Sequence, residues 1–219
     1  MNRLAIFDCD GTLVDSQHNI CLAMEDCFQR GGLVAPDRAA IRRIVGLSLV
    51  EAVCALAPEA EPALQRQMSE DYKTAFQRLR GFGLVEEPLF DGVAEMIAAL
   101  ADDGWILGVA TGKSDRGLAF CLEHHGIAHH FATLQTADRH PSKPHPSMID
   151  QAMNDAGAMA EDTLMIGDTG FDIGMARAAG VTAIGVAWGY HDPAELIEQG
   201  AHHVADVAND IVTIARKHP

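Results

Sequence analysis

The chain has 219 residues, of which 48% are hydrophobic and 21% are charged. This size fits one large domain, or a core that carries a smaller inserted domain. Sixteen basic and thirty-one acidic residues give a formal net charge of −15. Such a charge repels nucleic-acid phosphates and anionic lipids. We therefore expect no nucleic-acid partner and no membrane-surface partner.

The cysteines and the N-terminal segment bear on the cellular compartment. The five cysteines are odd in number, scattered and without a CxxC pair, as is typical of reduced thiols. The apolar run Leu4–Phe7 is too short for a signal peptide, because Asp8 follows it directly. No apolar run reaches the length that spans a bilayer. These features predict a cytoplasmic protein.

Short apolar runs alternate with helical patterns along most of the chain. The runs predict buried strands at Leu4–Phe7, Trp105–Ala110, Phe131–Leu134, Thr163–Ile166 and Thr182–Ala187. The helical patterns lie at Gly92–Asp102, Ser114–His124, Pro146–Ala156 and Asp172–Ala179. Such alternation predicts βαβ units, and hence a parallel sheet that is covered by helices on both faces.

Residues 16–81 interrupt this alternation. They contain four helical patterns and no convincing strand pattern, at Asn19–Gln29, Asp37–Ile44, Leu49–Ala57 and Glu61–Leu79. We therefore predict an all-helical inserted domain at residues 16–81, within a core formed by residues 1–15 and 82–219. The glycine-containing segment 81–88 would return the chain to the core.

Two carboxylates, Asp8 and Asp10, follow the first predicted strand directly. Ligands bind at this edge of doubly wound sheets. A pair of nearby carboxylates suits metal binding, or a nucleophile that works with an acid–base partner. Such a short motif by itself also fits a plain acidic turn, because short motifs often match by chance.

Three further segments place polar side chains after other predicted strands. Thr111 and Gly112 follow the second strand, and Lys143 precedes a helix. Asp168 and Asp172 follow a later strand. Each segment alone fits a helix cap, a solvated lysine or an acidic turn. Their recurrence at one edge of one sheet favours a shared functional site.

Four motifs occur in a fixed order: DxDGTLVDS at residues 8–16, ATGKS at 110–114, KPHP at 143–146 and GDTGFDI at 167–173. In this order they resemble the haloacid dehalogenase-like superfamily, especially its phosphoglycolate phosphatase-like branch. The resemblance covers essentially the whole chain. It implies an α/β fold, with a Rossmann-like three-layer core, a parallel sheet and an inserted all-helical cap.

The resemblance also implies an activity and a role for each matched residue. The activity is Mg²⁺-dependent hydrolysis of a small organic phosphomonoester, a small phosphorylated metabolite such as phosphoglycolate. Asp8 would attack the phosphorus to form an aspartyl-phosphate, and Asp10 would act as acid and then base. The implied phosphate-binding residues are Thr111, Gly112 and Lys143. The implied Mg²⁺ ligands are Asp8, the Asp10 backbone carbonyl, Asp168 and Asp172, the last directly or through water.

The predicted cap offers candidate specificity residues around a turn at residues 46–48. Arg42, Arg43 and Ser48 lie at or beside this turn. A turn between two helices can cover the active site when a hinged cap closes, and would then contact the leaving group. The alternative is that Gly46 only ends a helix and that both arginines are solvated.

Two other functions stay open at this point. A phosphosugar mutase of the same superfamily would return the phosphoryl group to a second hydroxyl of the substrate. A catalytically silent binding protein could also use this fold, because a fold does not imply an activity. Dehalogenation is disfavoured, since the resemblance implies that halide-removing relatives lack the second aspartate, here Asp10. The oligomeric state has no signal in the sequence.

Overall fold

The computed structural model describes residues 2–218, and its centre is a sheet of six parallel strands. The strands are β1 (Asn2–Phe7), β2 (Ile106–Thr111), β3 (Phe131–Thr136), β4 (Ala158–Gly167), β5 (Thr182–Val186) and β6 (His203–Ala205). Their order in the sheet is β3-β2-β1-β4-β5-β6. Because β1 lies between β2 and β4, the carboxyl ends of these three strands meet at one edge.

Residues 2–218 also form ten α-helices. The first four are α1 (Gln17–Arg30), α2 (Arg38–Arg43), α3 (Leu49–Leu56) and α4 (Pro62–Gly81). The others are α5 (Val93–Asp102), α6 (Asp115–His124), α7 (Ser147–Ala156), α8 (Gly170–Ala179), α9 (Pro193–Glu198) and α10 (Ala208–Lys217). Within residues 2–218, no helix is both long and apolar enough to cross a bilayer.

Alternating side chains of β1 show how the layers form. Ala5 and Phe7 pack in one buried cluster with side chains of α5, α6 and α10. Leu4 and Ile6 pack in a second cluster with side chains of α7 and α8. Successive strand residues point to opposite faces, so a strand that is buried on both sides reads as a continuous apolar run. The core is therefore a three-layer α/β/α structure.

Helices α1–α4, which we call the helical insertion, leave the core after β1 and return before α5. They enclose an apolar cluster of their own, which includes Met24, Phe28, Ile41, Val53 and Met68. The predicted fold class, a Rossmann-like core with an inserted all-helical cap, is confirmed. The domain boundaries at residues 15/16 and 81/82 stay a prediction.

Three elements near the C-terminus were not predicted from the sequence. Strand β6 has three residues and α9 has six, lengths too short to display a clear periodicity. Helix α10 does have a sequence signal, because Ala208, Ile211, Val212 and Ala215 form a buried stripe at helical spacing. Strand β6 extends the sheet, α10 packs on one of its faces and α9 packs on the other.

Candidate active site

The fold brings the predicted core residues to one edge of the sheet. Asp8 follows β1, Thr111 ends β2 and Asp168 follows β4, so three adjacent strands deliver them together. Lys143 comes from the loop before α7, and Asp172 lies in the first turn of α8. All five side chains are almost completely buried. A buried cluster of charged groups requires internal partners, because burial removes their hydration.

Lys143 is the central cation of this cluster. Its Nζ donates to Asp172 Oδ1 at 2.6 Å and lies 2.9 Å from Asp8 Oδ1. Burial by itself lowers the pKa of Lys143, but the charges of Asp172 and Asp8 outweigh it and raise that pKa above its usual value. The side chain is therefore a permanent positive charge between two carboxylates.

The two oxygens of Asp8 have different environments. Oδ1 accepts the backbone N–H of Cys9 at 2.7 Å in addition to its contact with Lys143. Oδ2 is buried and has no hydrogen-bond partner among the described residues. Burial raises the pKa of Asp8 to about 7, although the charge of Lys143 opposes the shift. Asp8 thus presents one anchored oxygen and one free oxygen.

Asp168 is held by donors on both of its oxygens. The Thr12 hydroxyl donates to Oδ1 at 2.9 Å, and the Tyr190 N–H donates to Oδ2 at 2.9 Å. The adjacent turn needs a glycine, because Gly11 has φ +82° and a Cβ there would lie 2.2 Å from Asp168 Oδ2. Burial raises the pKa of Asp168 well above its usual value, and the charges of Asp172 and Asp8 add to this shift.

Three of these carboxylates fit a divalent cation. Ligand oxygens of Asp8, Asp168 and Asp172 all lie within 4.8 Å of one another, and all three residues are buried. Hard cations such as Mg²⁺ prefer oxygen ligands of this kind. The free Oδ2 of Asp8 is a buried acceptor that such a cation would satisfy. The donor set therefore fits Mg²⁺.

Asp172 has less freedom to serve as a ligand than its position suggests. Its Oδ1 accepts from Lys143. Its Oδ2 accepts from the hydroxyl of Thr169 at 2.7 Å and from the Thr169 N–H at 3.0 Å, in a capping box at the start of α8. Asp172 thereby positions Lys143 and also caps the N-terminus of α8, the helix to which Asp172 itself belongs.

The Asp10 side chain has other neighbours than the Lys143 cluster. Its Oδ1 lies 2.8 Å from Lys113 Nζ and also accepts a hydrogen bond from the Ser16 hydroxyl. Lys113 and Ser16 lie within the sequence motifs, but the family resemblance implies no role for either of them. Tyr190, which contacts Ser16 and Asp168, lies outside the four motifs in the sequence, and no sequence pattern marks it.

The predicted phosphate-binding turn at Thr111 and Gly112 contacts the helical insertion. The Thr111 hydroxyl accepts the Lys113 N–H at 3.2 Å. A Cβ at Gly112 would lie 2.4 Å from the backbone carbonyl oxygen of Leu47. A glycine at position 112 therefore lets the turn at residues 46–48 rest directly on the core.

A cavity of about 270 Å³ lies between the insertion and the core. Its lining includes Asp10, Gly112 and Lys113 from the core and Ser48 from the insertion. Of the described residues, Arg42 and Arg43 are not part of this lining. Arg43 lies 2.9 Å from Glu195 in an exposed ion pair. The roles of Arg42, Arg43 and Ser48 in specificity stay predictions.

Comparisons with known proteins agree with this geometry. The family model described as haloacid dehalogenase-like hydrolase matches residues 5–186. A probable phosphatase, IndB, of Dickeya dadantii is 38% identical over 225 residues, and the match covers 98% of this chain and 94% of that protein. The phosphoglycolate phosphatase of Vibrio cholerae is 29% identical over 197 aligned residues, and the match covers 86% of this chain and 86% of that protein.

Solved structures show the same fold. The crystal structure of a predicted phosphatase from Clostridium acetobutylicum superposes with a TM-score of 0.88, at 24% identity and over 99% of both chains. That likeness concerns the fold, whereas the family model and the sequence relatives concern the enzyme class. The chain therefore belongs to the haloacid dehalogenase-like hydrolases, in their phosphoglycolate phosphatase-like branch, and is a phosphoric monoester hydrolase of that family.

Proposed function

We propose that the chain is a Mg²⁺-dependent phosphatase of small phosphorylated metabolites that works through an aspartyl-phosphate on Asp8. One observation carries this proposal: Asp8 is buried beside a lysine and two further carboxylates, yet its Oδ2 has no hydrogen-bond partner among the described residues. A buried carboxylate oxygen without a donor is costly unless the site uses it. Attack on phosphorus or binding of a cation would use it.

In the first step, the Asp8 carboxylate forms a bond to phosphorus while the bond to the alcohol oxygen breaks. Asp10 gives its proton to that oxygen, so the alcohol leaves neutral. Lys143 offsets the repulsion between the carboxylate and the phosphate dianion. The Thr111 hydroxyl and the backbone at Gly112 would bind the oxygens of the transferred group.

In the second step, water releases the phosphate. Asp10, now deprotonated, takes a proton from water as the water oxygen attacks phosphorus. The bond to Asp8 breaks, and inorganic phosphate leaves. One residue serves as acid and then as base because the first step leaves it in the form that the second step needs.

Mg²⁺, when bound, would neutralise phosphate charge and orient the transferred group. Asp8, Asp168 and the backbone carbonyl of Asp10 would hold it. Both oxygens of Asp172 already accept hydrogen bonds. We therefore propose that Asp172 supports the cation through water rather than as a direct ligand.

The proposed division of labour assigns chemistry to residues 1–15 and 82–219 and substrate choice to a cap at residues 16–81. The cavity between the two supports it, because Ser48 and Asp10 both line that cavity. The substrate class is a small organic phosphomonoester. A relative named phosphoglycolate phosphatase supports that class and makes 2-phosphoglycolate the first substrate to test.

The Asp8→Asn variant tests the proposal, since it keeps the size of the side chain and removes the attacking charge. We expect phosphate release to fall by more than ~10³-fold, because only binding and electrostatics would remain. The assay measures inorganic phosphate from nitrophenyl phosphate and 2-phosphoglycolate, with Mg²⁺ and with excess EDTA. EDTA should abolish turnover of the unmodified protein.

A matched control is Asp206→Asn, which changes an exposed aspartate that is not among the residues assigned to the site. It should leave the rate unchanged. Near-normal turnover by Asp8→Asn, or full activity in EDTA, would contradict the proposal. Conversion of a phosphosugar to its isomer without phosphate release would instead support the mutase alternative.

A further inference from the structure

Lys113 is a second lysine at the site with a largely buried side chain, and the mechanism above does not use it. It follows β2 in the turn before α6, and its side chain is 9% exposed. Its Nζ lies 2.8 Å from Asp10 Oδ1 and 2.7 Å from Glu87 Oε1. A lysine in such a place has lost most of its hydration and depends on these two carboxylates for compensation.

Both contacts to the Asp10 side chain are made to one oxygen. Lys113 and the Ser16 hydroxyl both lie at Oδ1. Within the described residues, Oδ2 forms no hydrogen bond to the protein. Two donors on Oδ1 fix the rotation of the carboxyl group, which leaves Oδ2 free to exchange a proton with the leaving alcohol or with water.

Glu87 anchors the other side of Lys113. It is 8% exposed and lies in the segment that returns from α4 to the core. Its backbone carbonyl accepts from His125 Nε2 at 2.7 Å, and its Oε2 lies 3.7 Å from Arg80 Nη2. Since Glu87 is held on both its main chain and its side chain, Lys113 has little freedom to move away from Asp10.

A buried ion pair of this kind is weak evidence for a role in stability, because desolvation offsets much of its attraction. Preorganisation of an acid–base group is a stronger reason to keep it, since small misplacements of reacting groups slow the reaction strongly. We propose that Lys113 is a positioning residue for Asp10, and that Glu87 in turn holds Lys113. This inference rests on the proposed function, since it assumes that Asp10 moves the protons.

The test is Lys113→Met, which removes the charge and keeps most of the chain length. We expect kcat/KM for an alkyl phosphate such as 2-phosphoglycolate to fall by ~10²-fold or more, within the range that acid–base catalysis contributes. The loss for nitrophenyl phosphate should be at least ~10-fold smaller, because that leaving group needs little protonation. KM should not rise for either substrate, and it should fall for nitrophenyl phosphate because the second step becomes rate-limiting.

A second readout follows the phosphoryl-enzyme. Asp10 also activates the water in the second step. A misplaced Asp10 side chain should therefore slow hydrolysis of the phosphoryl-enzyme. With nitrophenyl phosphate, Lys113→Met should therefore accumulate protein that carries one covalent phosphoryl group, detected by intact-protein mass after acid quench. A merely structural defect lowers both steps and produces no such accumulation.

Two further variants keep the test decisive. Glu87→Gln should show the same pattern with a smaller loss, because Lys113 keeps its contact to Asp10. Lys113→Arg, which retains a donor and a charge, should recover part of the kcat that Lys113→Met loses and should remove the phosphoryl-enzyme. If Lys113→Met fails to fold, Glu87→Gln and Lys113→Arg are compared with the unmodified protein by the same two measurements. The control is Lys217→Met at the exposed end of α10, which should behave as the unmodified protein.

The outcomes separate this inference from the proposed function. Equal losses for both leaving groups with no accumulated phosphoryl-enzyme would overturn the role of Lys113. A rise in KM with unchanged kcat would also overturn it, since Lys113 would then bind substrate instead. Activity in Asp8→Asn would remove the proposed function itself, and the positioning role with it.

Discussion

The candidate active site, at the carboxyl edge of the sheet, and the contact between the insertion and the core are stabilised by different kinds of interaction. At the edge, Lys143 has no exposed side-chain surface, and it bridges two buried carboxylates. At the contact, the Arg43–Glu195 pair has 57% and 38% of its side chains exposed. Two hydrogen bonds also join the insertion to the core at this contact. The Ser48 N–H donates to Ser142 Oγ, and His191 donates to the Arg43 carbonyl.

This difference matters for how the protein can move. A buried charge that loses its partner is strongly unfavourable, so the edge behaves as one rigid unit. An exposed ion pair contributes only about 0–1 kcal/mol and weakens with salt. We therefore expect the exposed polar links between the insertion and the core to break more readily than the contacts among the buried charges at the edge. Such an arrangement suits a cap that opens for substrate and product.

The largest expected effect comes from Lys143→Met. It would leave Asp8 and Asp172 buried without their cation, and loss of one partner of a buried pair typically destabilises by about 3–5 kcal/mol. Chemical denaturation at neutral pH measures the free energy of unfolding. Lys217→Met, at an exposed site, is the matched control and should change it by less than about 0.5 kcal/mol.

The pH dependence of Lys143→Met has a definite sign. Burial already raises the pKa of Asp8, and Lys143 is the main group that lowers it. Without Lys143 that pKa rises further, so the folded state binds a proton more readily than the unfolded state does. The destabilisation should then be smallest below about pH 7, where Asp8 is protonated in both folded proteins, and should grow as the pH rises above 7. A loss that is independent of pH would contradict the view that an uncompensated charge causes it.

A smaller effect is expected from Gly112→Ala, which addresses the contact itself. The added Cβ would lie 2.4 Å from the carbonyl oxygen of Leu47, so the turn at residues 46–48 must move. Overpacking of this kind costs about 1–3 kcal/mol. If that energy opposes closure, kcat/KM for 2-phosphoglycolate should fall by ~10- to 100-fold. Hydrolysis of a small acyl phosphate should change far less.

Gly81→Ala is the control for this substitution. Gly81 ends α4 at an exposed position, and a Cβ there meets nothing within 4 Å. Its kinetics should match those of the unmodified protein. Equal losses for the organic phosphate and the acyl phosphate in Gly112→Ala would mean that the substitution damages the phosphate-binding turn and leaves cap closure unaffected.

The smallest effect is expected at the exposed pair. Arg43→Ala should change stability and kcat/KM by no more than about 1 kcal/mol, because the pair is solvated. A double-mutant cycle with Glu195→Ala measures the coupling energy, and added salt should reduce it. A reordered preference among organic phosphates in Arg43→Ala would instead support the specificity role that its sequence position predicts.

Much of the fold follows from local pattern. The apolar runs of β1, β2, β3 and β5 are continuous because both faces of the sheet are covered, and they predict strands close to the observed bounds. The predicted core of β4 was too short, since the strand begins at Ala158 rather than at Thr163. In the first part of β4, residues 158–162, buried and exposed side chains alternate. The continuous apolar run begins only further along the strand, where side chains on both faces are buried.

The sequence by itself determined which groups reach the carboxyl edge of the sheet. Parallel strands end on the same side, so residues that follow β1, β2 and β4 must meet there. Only the tertiary structure decided how their oxygens and nitrogens pair: that Asp10 Oδ1 faces Lys113, that Glu87 anchors this lysine, and that the Tyr190 N–H binds Asp168. These partners lie 22 to 103 residues apart in the chain. The pattern of a strand or helix reflects which of its side chains are buried, and this can be read from neighbouring residues. The hydrogen-bond partner of a buried polar group depends on distances and angles that are set only when segments distant in the sequence pack together.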